Sequence, residues 1–528
     1  MAISGPALSS RNPFRRLIRF PQIASLCAGA LATLAFAPFA LSPVSILSLA
    51  LLFWLWRGAT PGQAFQRGWL FGLGLMGFGV FWLHISIDQF GNIGLPLAVV
   101  ITLVFVAAMA LYYGLAGWLG ARLAPPGGGG DGLRLLLIYP AVWVLAEWVR
   151  GWFLTGFPWL ALGYSQIDTA LQGFAPLLGV YGLSWIAALC AGLLVLVLIS
   201  FPFSSKARAN PDTLPACDRT LLLLGGLAAI WVSGGLLEAH GWTRAAGKPL
   251  RVSMIQGNIP QERKWLPEQF GPTLELYTGL TRANWDSDLV IWPETAVPAF
   301  YSRVDEGLLT PLEAEARSRD TDLLLGLAMR GPGGGRYFNA MISLGRQRDA
   351  YFKRHLVPFG EFLPLKGLLG PLIDFLQIPM SDFSAGPQDK VLLRLAGYPA
   401  GISICYEDAF GEEVIQALPQ AAFLVNASND AWFGDSLAPH QHLEIARMRA
   451  LETGRYLLRS TNTGVSAVIG PRGEVLGVSP AFRQDVLTRD IIPMEGMTPY
   501  ARMGNRAIVS IALAMLGLAF LWGRRSQG

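Results

Sequence analysis

Apolar positions gather unevenly along this chain. Seven long runs crowd the first half, at roughly 23–40, 43–57, 68–87, 94–121, 134–153, 174–200 and 220–237, and an eighth lies near 506–523. A hydrocarbon core about 30 Å thick takes a helix of about 20 residues to cross. The pattern therefore predicts a membrane bundle of about eight spans, several of them short for the task and the second run shortest of all. Between about 246 and 497 the pattern changes. Short runs rich in β-branched and aromatic residues recur there: LRVSMIQ (250–256), DLVIWP (288–293), TDLLLGLA (321–328), YFNAMISL (337–344), YPAGISIC (398–405), AAFLVNAS (421–428) and GVSAVIG (464–470). These read as strands. The stretch PHQHLEIARMRALET (439–453) reads as a helix, with Pro439 near its start and Gly454 placed to end it. Strands buried on both faces and alternating with helices predict a layered α/β domain. GPRGE (470–474) reads as a hairpin turn, which makes the sheet mixed. The expected organisation is a seven-span bundle at 1–245, a globular domain at 246–497, and a final span with a short tail at 498–528.

Composition agrees with the membrane reading: 52% of the 528 residues are hydrophobic, only 15% are charged, and 17 are Trp. The net charge of +5 comes with no basic run interleaved with aromatics, so nucleic acid is not indicated. PPGGGG (125–130) and GPGGG (331–335) look like flexible connections. Lys and Arg resist transfer across the bilayer and mark cytoplasmic connections. Here they alternate, with Arg11, Arg15, Arg16 and Arg19 before the first run, Arg57 and Arg67 after the second, Arg122 and Arg134 after the fourth, and Lys206, Arg208 and Arg219 after the sixth. The first connection has none and the third carries only Asp88. Seven spans from a cytoplasmic N-terminus deliver the globular domain to the outside, and the eighth returns Arg524 and Arg525 to the cytoplasm. A secretory signal ending at Ala35-Phe36-Ala37 is the competing reading of residues 11–37. Cleavage there would leave an odd number of spans and spoil the alternation.

The chemistry centres on SICYEDAF (403–410). Its Cys405 is the one cysteine of the globular segment, since Cys27, Cys190 and Cys217 lie in or beside apolar runs. A structural thiol in an oxidising compartment would have a partner. Burial as a small apolar side chain is the bland reading, but Cys405 stands where an apolar strand meets YED, at the kind of strand end that carries catalytic groups. A nucleophilic thiol needs a base and an oxyanion holder. Glu294, after the strand of IWPETAVP, suits the first role, and Lys353 in YFKRHLVPFGEFLP suits the second. Each alone is weak, because most strand-end Glu and Lys residues are solvated.

Together, in this order, WPE at Glu294, the strand Lys353 and CYED at Cys405 resemble the Glu-Lys-Cys triad of the nitrilase superfamily. QGNIPQERKW (256–265), KRHLVPFGEFLP (353–364), NASNDAWFG (426–434) and PHQHLEIARMRALETGRYLLRSTNTG (439–464) narrow the resemblance, over essentially the whole chain, to the bacterial apolipoprotein N-acyltransferase family. That likeness implies an αββα sandwich outside the inner (cytoplasmic) membrane, no cofactor and no metal. It implies a phospholipid as acyl donor and a diacylated apolipoprotein as acceptor, with a monomer expected. It further implies Glu361 as support for the triad, Tyr406 and Glu407 as pocket walls behind the nucleophile, and Trp265, Trp432 and Phe433 on mobile or pocket-lining segments. Ordinary core or interfacial packing is the alternative for these three aromatics.

Two expectations stand apart from the family. The apolar, Gly- and Pro-broken segment 355–383 should not face water; it predicts a lid, carrying Phe359, Phe362 and Leu363, that admits acyl chains, or else a segment packed on the bundle. Arg150, three residues after Glu147, could bind a lipid phosphate or form a self-satisfied pair. The rival functions are a membrane-anchored amidase using water as acceptor, a Cys-His hydrolase built on His355 or His440, and a lipid transporter or receptor. His440 and His442 do not share a helix face, which argues against a metal.

Overall fold

A computed structural model of the chain describes residues 20–91, 93–123, 130–200, 216–331, 335–362 and 383–525. The basic N-terminal residues, Lys206, Arg208, most of both glycine-rich connections, and the lid segment from Leu363 to 382 lie outside the described residues.

The first half is helical: α1 (Pro21–Ala32), α2 (Pro43–Trp56), α3 (Pro61–Gly79), α4 (Leu83–Gly91), α5 (Leu95–Leu123), α6 (Gly130–Arg150), α7 (Ala175–Ser200) and α8 (Ala216–Glu238). Of the eight predicted spans, the fourth to seventh form helices long and apolar enough to cross a membrane. The third is two helices, α3 and α4, bent by 58°. The first, second and eighth form shorter apolar helices, Pro21–Ala35, Pro43–Trp56 and Arg506–Trp522. The break in the third has a local cause. Ending α3 frees the carbonyl of Gly79, and it accepts from the indole of Trp82 (3.0 Å) and from Gln441 Nε2 of the globular domain (3.0 Å). Small residues let the helices meet closely: a Cβ on Gly68 would lie 2.2 Å from the carbonyl oxygen of Tyr113 on α5. Elsewhere α5 exposes Val100, Leu103, Val104, Leu111 and Leu115, a surface made for lipid. Ala35 and Phe36, at the supposed cleavage site, are buried in the core of the bundle.

In the globular domain, one six-stranded mixed sheet has the order β13-β2-β3-β4-β5-β6, from strands β2 (Leu250–Gln256), β3 (Leu289–Ile291), β4 (Asp322–Arg330), β5 (Tyr337–Leu344), β6 (Asp349–Phe352) and β13 (Asp485–Ile491). The second has the order β12-β11-β10-β9-β8-β7, from β7 (Leu392–Leu395), β8 (Tyr398–Ile404), β9 (Phe423–Ser428), β10 (Leu457–Thr461), β11 (Ala467–Ile469) and β12 (Val475–Val478). A two-stranded ribbon of β1 (Thr243–Ala245) and β14 (Met494–Gly496) ties the two ends of the domain together. The predicted GPRGE turn joins the antiparallel β11 and β12, with Gly473 at φ +78°.

The sheets face each other. Val252, Met254, Ile291 and Leu324 of the first share one buried cluster with Ile402, Ile404, Phe423 and Val425 of the second, each fully buried side chain contributing about 1.5–3 kcal/mol. Helices α9 (Pro267–Arg282) and α10 (Thr310–Ser318) cover the outer face of the first sheet through Tyr277 and Leu312. Helix α11 (Ala438–Thr453) covers the second through Ala446 and Ala450. The layers are thus α, β, β, α. The last helix, α12 (Arg506–Arg525), packs back on the bundle through Ile508, Ala512 and Met515.

Helix α11 is buried along most of its length, with only His440, Leu443 and Arg447 partly open. It ends at Gly454 in the left-handed conformation (φ +63°), as its sequence predicts. Opposite the sheet, Ile445, Met448 and Leu451 join the core of the bundle. Between these, polar side chains meet groups that the bundle leaves open. Gln441 Oε1 accepts from the indoles of Trp82 (3.1 Å) and Trp159 (2.7 Å). Glu444 Oε1 accepts from the N–H of Ala37 (3.2 Å) and Glu452 Oε1 from the N–H of Val180 (2.6 Å).

Burial lifts two of these carboxyls, Glu444 to about 8 against the opposing Ala37 N–H, and Glu452 to about 7 against Arg449. Both folded values lie above the ordinary 4.5, so folding holds protons the unfolded chain has lost. Their contribution to stability is full below about pH 4.5 and is lost as pH rises through 7 to 8. The melting temperature in detergent should therefore fall between pH 5 and pH 8, and Glu444→Gln should flatten that fall. An unchanged slope in the variant would show that Glu444 is not the group being titrated.

Candidate active site

Three strand ends build the site, in keeping with the preference of α/β sites for carboxyl ends of strands. Glu294 follows β3, Lys353 directly follows β6, and Cys405 directly follows β8. The residues sequence reasoning singled out, far apart in the chain, converge here. Lys353 Nζ lies 2.8 Å from Glu361 Oε1 and 3.4 Å from Glu294 Oε1 and is 1% exposed. The charges of Glu294 and Lys353 both act on the thiol of Cys405. Burial pulls Lys353 down, but Glu361, then Glu294, more than reverse it and hold the ammonium above the usual lysine range. For Cys405, burial and then the Glu294 carboxylate push the thiol well up, with Lys353 opposing. Burial and the Glu294 charge thus favour the neutral thiol of Cys405 over its thiolate.

Cys405 itself adopts φ +52°, the left-handed region that a side chain with a Cβ disfavours. Such strain persists where the surroundings over-determine it. Glu407 is one clamp. Its Oε2 accepts from the N–H of Ile404 (2.6 Å) and the hydroxyl of Tyr351 (2.8 Å), and its Oε1 from the N–H groups of Arg354 (2.6 Å) and His355 (3.1 Å). It therefore ties the end of β8 to the end of β6, setting Cys405 against Lys353. Tyr406 is another: its hydroxyl donates to the carbonyl of Gly156 in the bundle (3.0 Å), and its ring lies among Trp159, His355 and Phe410. Glu361 supports Lys353 and is itself held by the N–H of Val357 (2.8 Å).

The aromatic candidates divide. Trp432 and Phe433 sit on the turn after β9 and meet the bundle, Trp432 edge-on to Phe90 and Phe433 edge-on to Trp82, each at 4.6 Å between centroids. Trp265 is exposed, beside a Lys264 whose Nζ turns inward to the carbonyl of Glu294 (3.3 Å). Phe359 is also exposed and Phe362 half-buried, at the ends of a tight turn closed by the Phe359 N–H on the Phe362 carbonyl (2.8 Å). Arg150 meets the segment of the bundle that also holds Tyr406, and no contact joins it to Glu294, Lys353 or Cys405 among the described residues. It is 1% exposed, donates through Nη1 to the carbonyls of Phe157 and Trp159 (2.6 Å each), and stands over the ring of Tyr113, with Nε and Nη2 lacking an acceptor among the described residues.

Sequence reasoning missed the residues that hold the triad. Asn339 Nδ2 donates to Glu294 Oε1 (2.7 Å) and to Glu361 Oε1 (3.2 Å), joining the two carboxylates. Its signal was present, an amide inside the apolar strand YFNAMISL. Behind the thiol lies a buried square of charge. His442 Nε2 meets Asp408 Oδ1 (2.9 Å) and Nδ1 meets Asp430 Oδ1 (3.0 Å), while Arg459 reaches the other oxygens of the same aspartates (3.5 and 2.7 Å). Burial and Arg459 pull His442 down, and the two aspartates more than reverse this, leaving it up at about 9. His442 thus works between carboxylates.

The chain is similar to known proteins along most of its length. Residues 28–193 match the family described as the apolipoprotein N-acyltransferase N-terminal domain, and residues 251–501 match carbon-nitrogen hydrolase. A protein of Methylococcus capsulatus named apolipoprotein N-acyltransferase is 48% identical, over 96% of this chain and 97% of its own. One of the same name from Nitrosomonas europaea is 44% identical over the same shares. Among solved structures, an amidase mutant from Nesterenkonia sp. AN1 is 18% identical with a TM-score of 0.36, covering 49% of this chain and 95% of that one. With near-half identity along almost its full length, the chain belongs to the apolipoprotein N-acyltransferase family.

Proposed function

We propose that this protein moves an acyl chain from a phospholipid to the N-terminal α-amino group of a diacylglyceryl-cysteine apolipoprotein, through a thioester on Cys405. The observation that carries the reading is the convergence, at three strand ends, of a left-handed Cys405 with the buried Lys353 that Glu294 and Glu361 hold. Glu294 takes the thiol proton, and the thiolate attacks the ester carbonyl of the phospholipid. The Lys353 ammonium and the Tyr406 N–H hold the oxyanion. As the tetrahedral adduct collapses, Glu294 returns the proton to the departing lysophospholipid alkoxide. The acceptor amine then attacks the thioester carbonyl and gives up its proton to Glu294. The amide forms and the Cys405 thiolate leaves, to be reprotonated by Glu294. Excluding water keeps the thioester for the amine.

The division at 1–245, 246–497 and 498–528 belongs with this reading, as does a monomer in the bacterial inner membrane with both termini cytoplasmic and the catalytic domain periplasmic. The alternating Arg and Lys of the connections support that orientation. The exposed Phe359 and Trp265 suit contact with lipid chains near the site.

Intact mass spectrometry tests the reaction. Incubation with phospholipid alone should add one acyl chain to the protein, and a diacylated lipopeptide should then remove it and gain it. A protein that stays unmodified, with the lipopeptide also unmodified, sinks the proposal.

A further inference from the structure

Asn426 stands on β9 opposite Ser403 of β8 and opposite Arg459 of β10 in the register of the sheet. It is fully buried, as is Arg459. Its Nδ2 donates to the carbonyl oxygen of Cys405 (3.0 Å) and to Ser403 Oγ (3.1 Å), and its Oδ1 accepts from Arg459 Nη1 (2.7 Å). The orientation of this amide is fixed by its neighbours. Flipped, it would set an oxygen against the Cys405 carbonyl and an NH₂ against a guanidinium that can only donate. Arg459 is in turn held by Asp430, so the amide is braced from behind.

The held carbonyl belongs to the Cys405–Tyr406 peptide. That unit is planar and trans, so its C=O and N–H point in opposite directions. Fixing one aims the other. The N–H of Tyr406 opens a helical turn, where N–H groups lack an intrahelical partner, and among the described residues it finds no acceptor. The left-handed Cys405 needs such a holder, since its φ of +52° is disfavoured for a residue with a side chain.

We propose that Asn426 is a positioning residue for the oxyanion site: braced by Arg459, it grips the Cys405 carbonyl and so aims the Tyr406 N–H at the oxygen that becomes charged in acyl transfer. The inference rests on the acyl-thioester reading and adds to it the group that sets the direction of one of the two oxyanion donors. Asn426 touches neither substrate nor the reacting atoms.

Two reactions of the same thiol separate aim from mere support. Acylation of Cys405 passes through an oxyanion; alkylation by iodoacetamide does not. Full-length protein in detergent, with Cys27 and Cys217 replaced by Ser in every variant, would be followed by intact mass with phospholipid, with a p-nitrophenyl ester and with iodoacetamide, each adduct being placed on Cys405 by peptide mass. Asn426→Asp keeps the acceptor for Arg459 but cannot donate to the Cys405 carbonyl, and it should slow acylation by about 10²-fold, the scale of losing an oxyanion donor, while alkylation stays at the wild-type rate. Asn426→Ala, which adds no charge, should show the same split and stands in if the Asp variant is poorly folded. Acylation and alkylation slowing together, or neither slowing, overturns the proposal, and so does failure of both variants to fold. Wild-type protein acylated by the ester but not by phospholipid would defeat the donor assignment alone, leaving the Asn426 comparison to be judged on the ester. Wild type acylated by neither would defeat both.

Discussion

Replacing Cys405 by Ala is expected to abolish the acyl adduct and all transfer to a lipopeptide, and Glu294→Gln to leave both about 10³-fold slower. The first expectation follows from the absence of any other thiol near the site: Cys190 is buried within the bundle, and Cys27 and Cys217 lie on its exposed surface. The second follows from the resting state of the nucleophile. Burial and the neighbouring carboxylate keep Cys405 protonated, and a thiol is a poor nucleophile until its proton is taken. Gln at 294 preserves the shape of the side chain and can still accept the Asn339 hydrogen bond at the Oε1 position, but it cannot take a proton. The loss should therefore appear in the rate of acyl-enzyme formation, measured by intact mass over time, with the melting temperature near that of wild type. A Gln variant as fast as wild type would remove Glu294 as the base.

Arg459→Leu is expected to cost about 3–5 kcal/mol of stability, the usual loss when one partner of a buried ion pair is removed. Arg459 is fully buried and faces both Asp408 and Asp430. At present Arg459, with His442, holds the Asp430 carboxyl well below the usual carboxylate range against the effect of burial. Leucine would leave two carboxylates facing one imidazolium, with nothing to fill the guanidinium's place at Asn426. Thermal unfolding in detergent should show a markedly lower transition, and Arg459→Lys, which keeps the charge but not the fork, should fall between. A Leu variant as stable as wild type would mean the square of charge contributes specificity and not stability.

The layers are legible in the sequence because strands and helices leave local signals, whereas Glu294, Lys353 and Cys405 were brought together by their resemblance to a known family. LRVSMIQ is a strand with the bounds its apolar run suggests, and PHQHLEIARMRALET is a helix ended by Gly454. Glu294, Lys353 and Cys405 each mark the polar end of an apolar run, so strand ends could be read as site positions before any geometry was known. What stayed hidden depends on contact. Strand β10, LLRST, carries a fully buried arginine that breaks its apolar pattern, and β13, DVLTRDI, is an edge strand with charged positions facing water. The third apolar run looks continuous; at its break the freed Gly79 carbonyl is satisfied by nearby Trp82 and by Gln441, far along the chain. Asn339, Asn426 and Arg459 likewise take their meaning from partners on other strands.

Helix α11 has a consequence for how such a protein can diverge. Its polar side chains are cut to fit particular backbone groups of the bundle, Gly79, Ala37 and Val180, and two indoles, Trp82 and Trp159. The two halves are a lock and its key, fashioned together. A chimera that borrows the hydrolase half from a distant relative inherits a key with different wards, and will close only where the bundle still offers the two indoles and the same backbone course at the other three positions. Drift at this seam is therefore paired drift, and the membrane half cannot become a neutral anchor while α11 remains its other face.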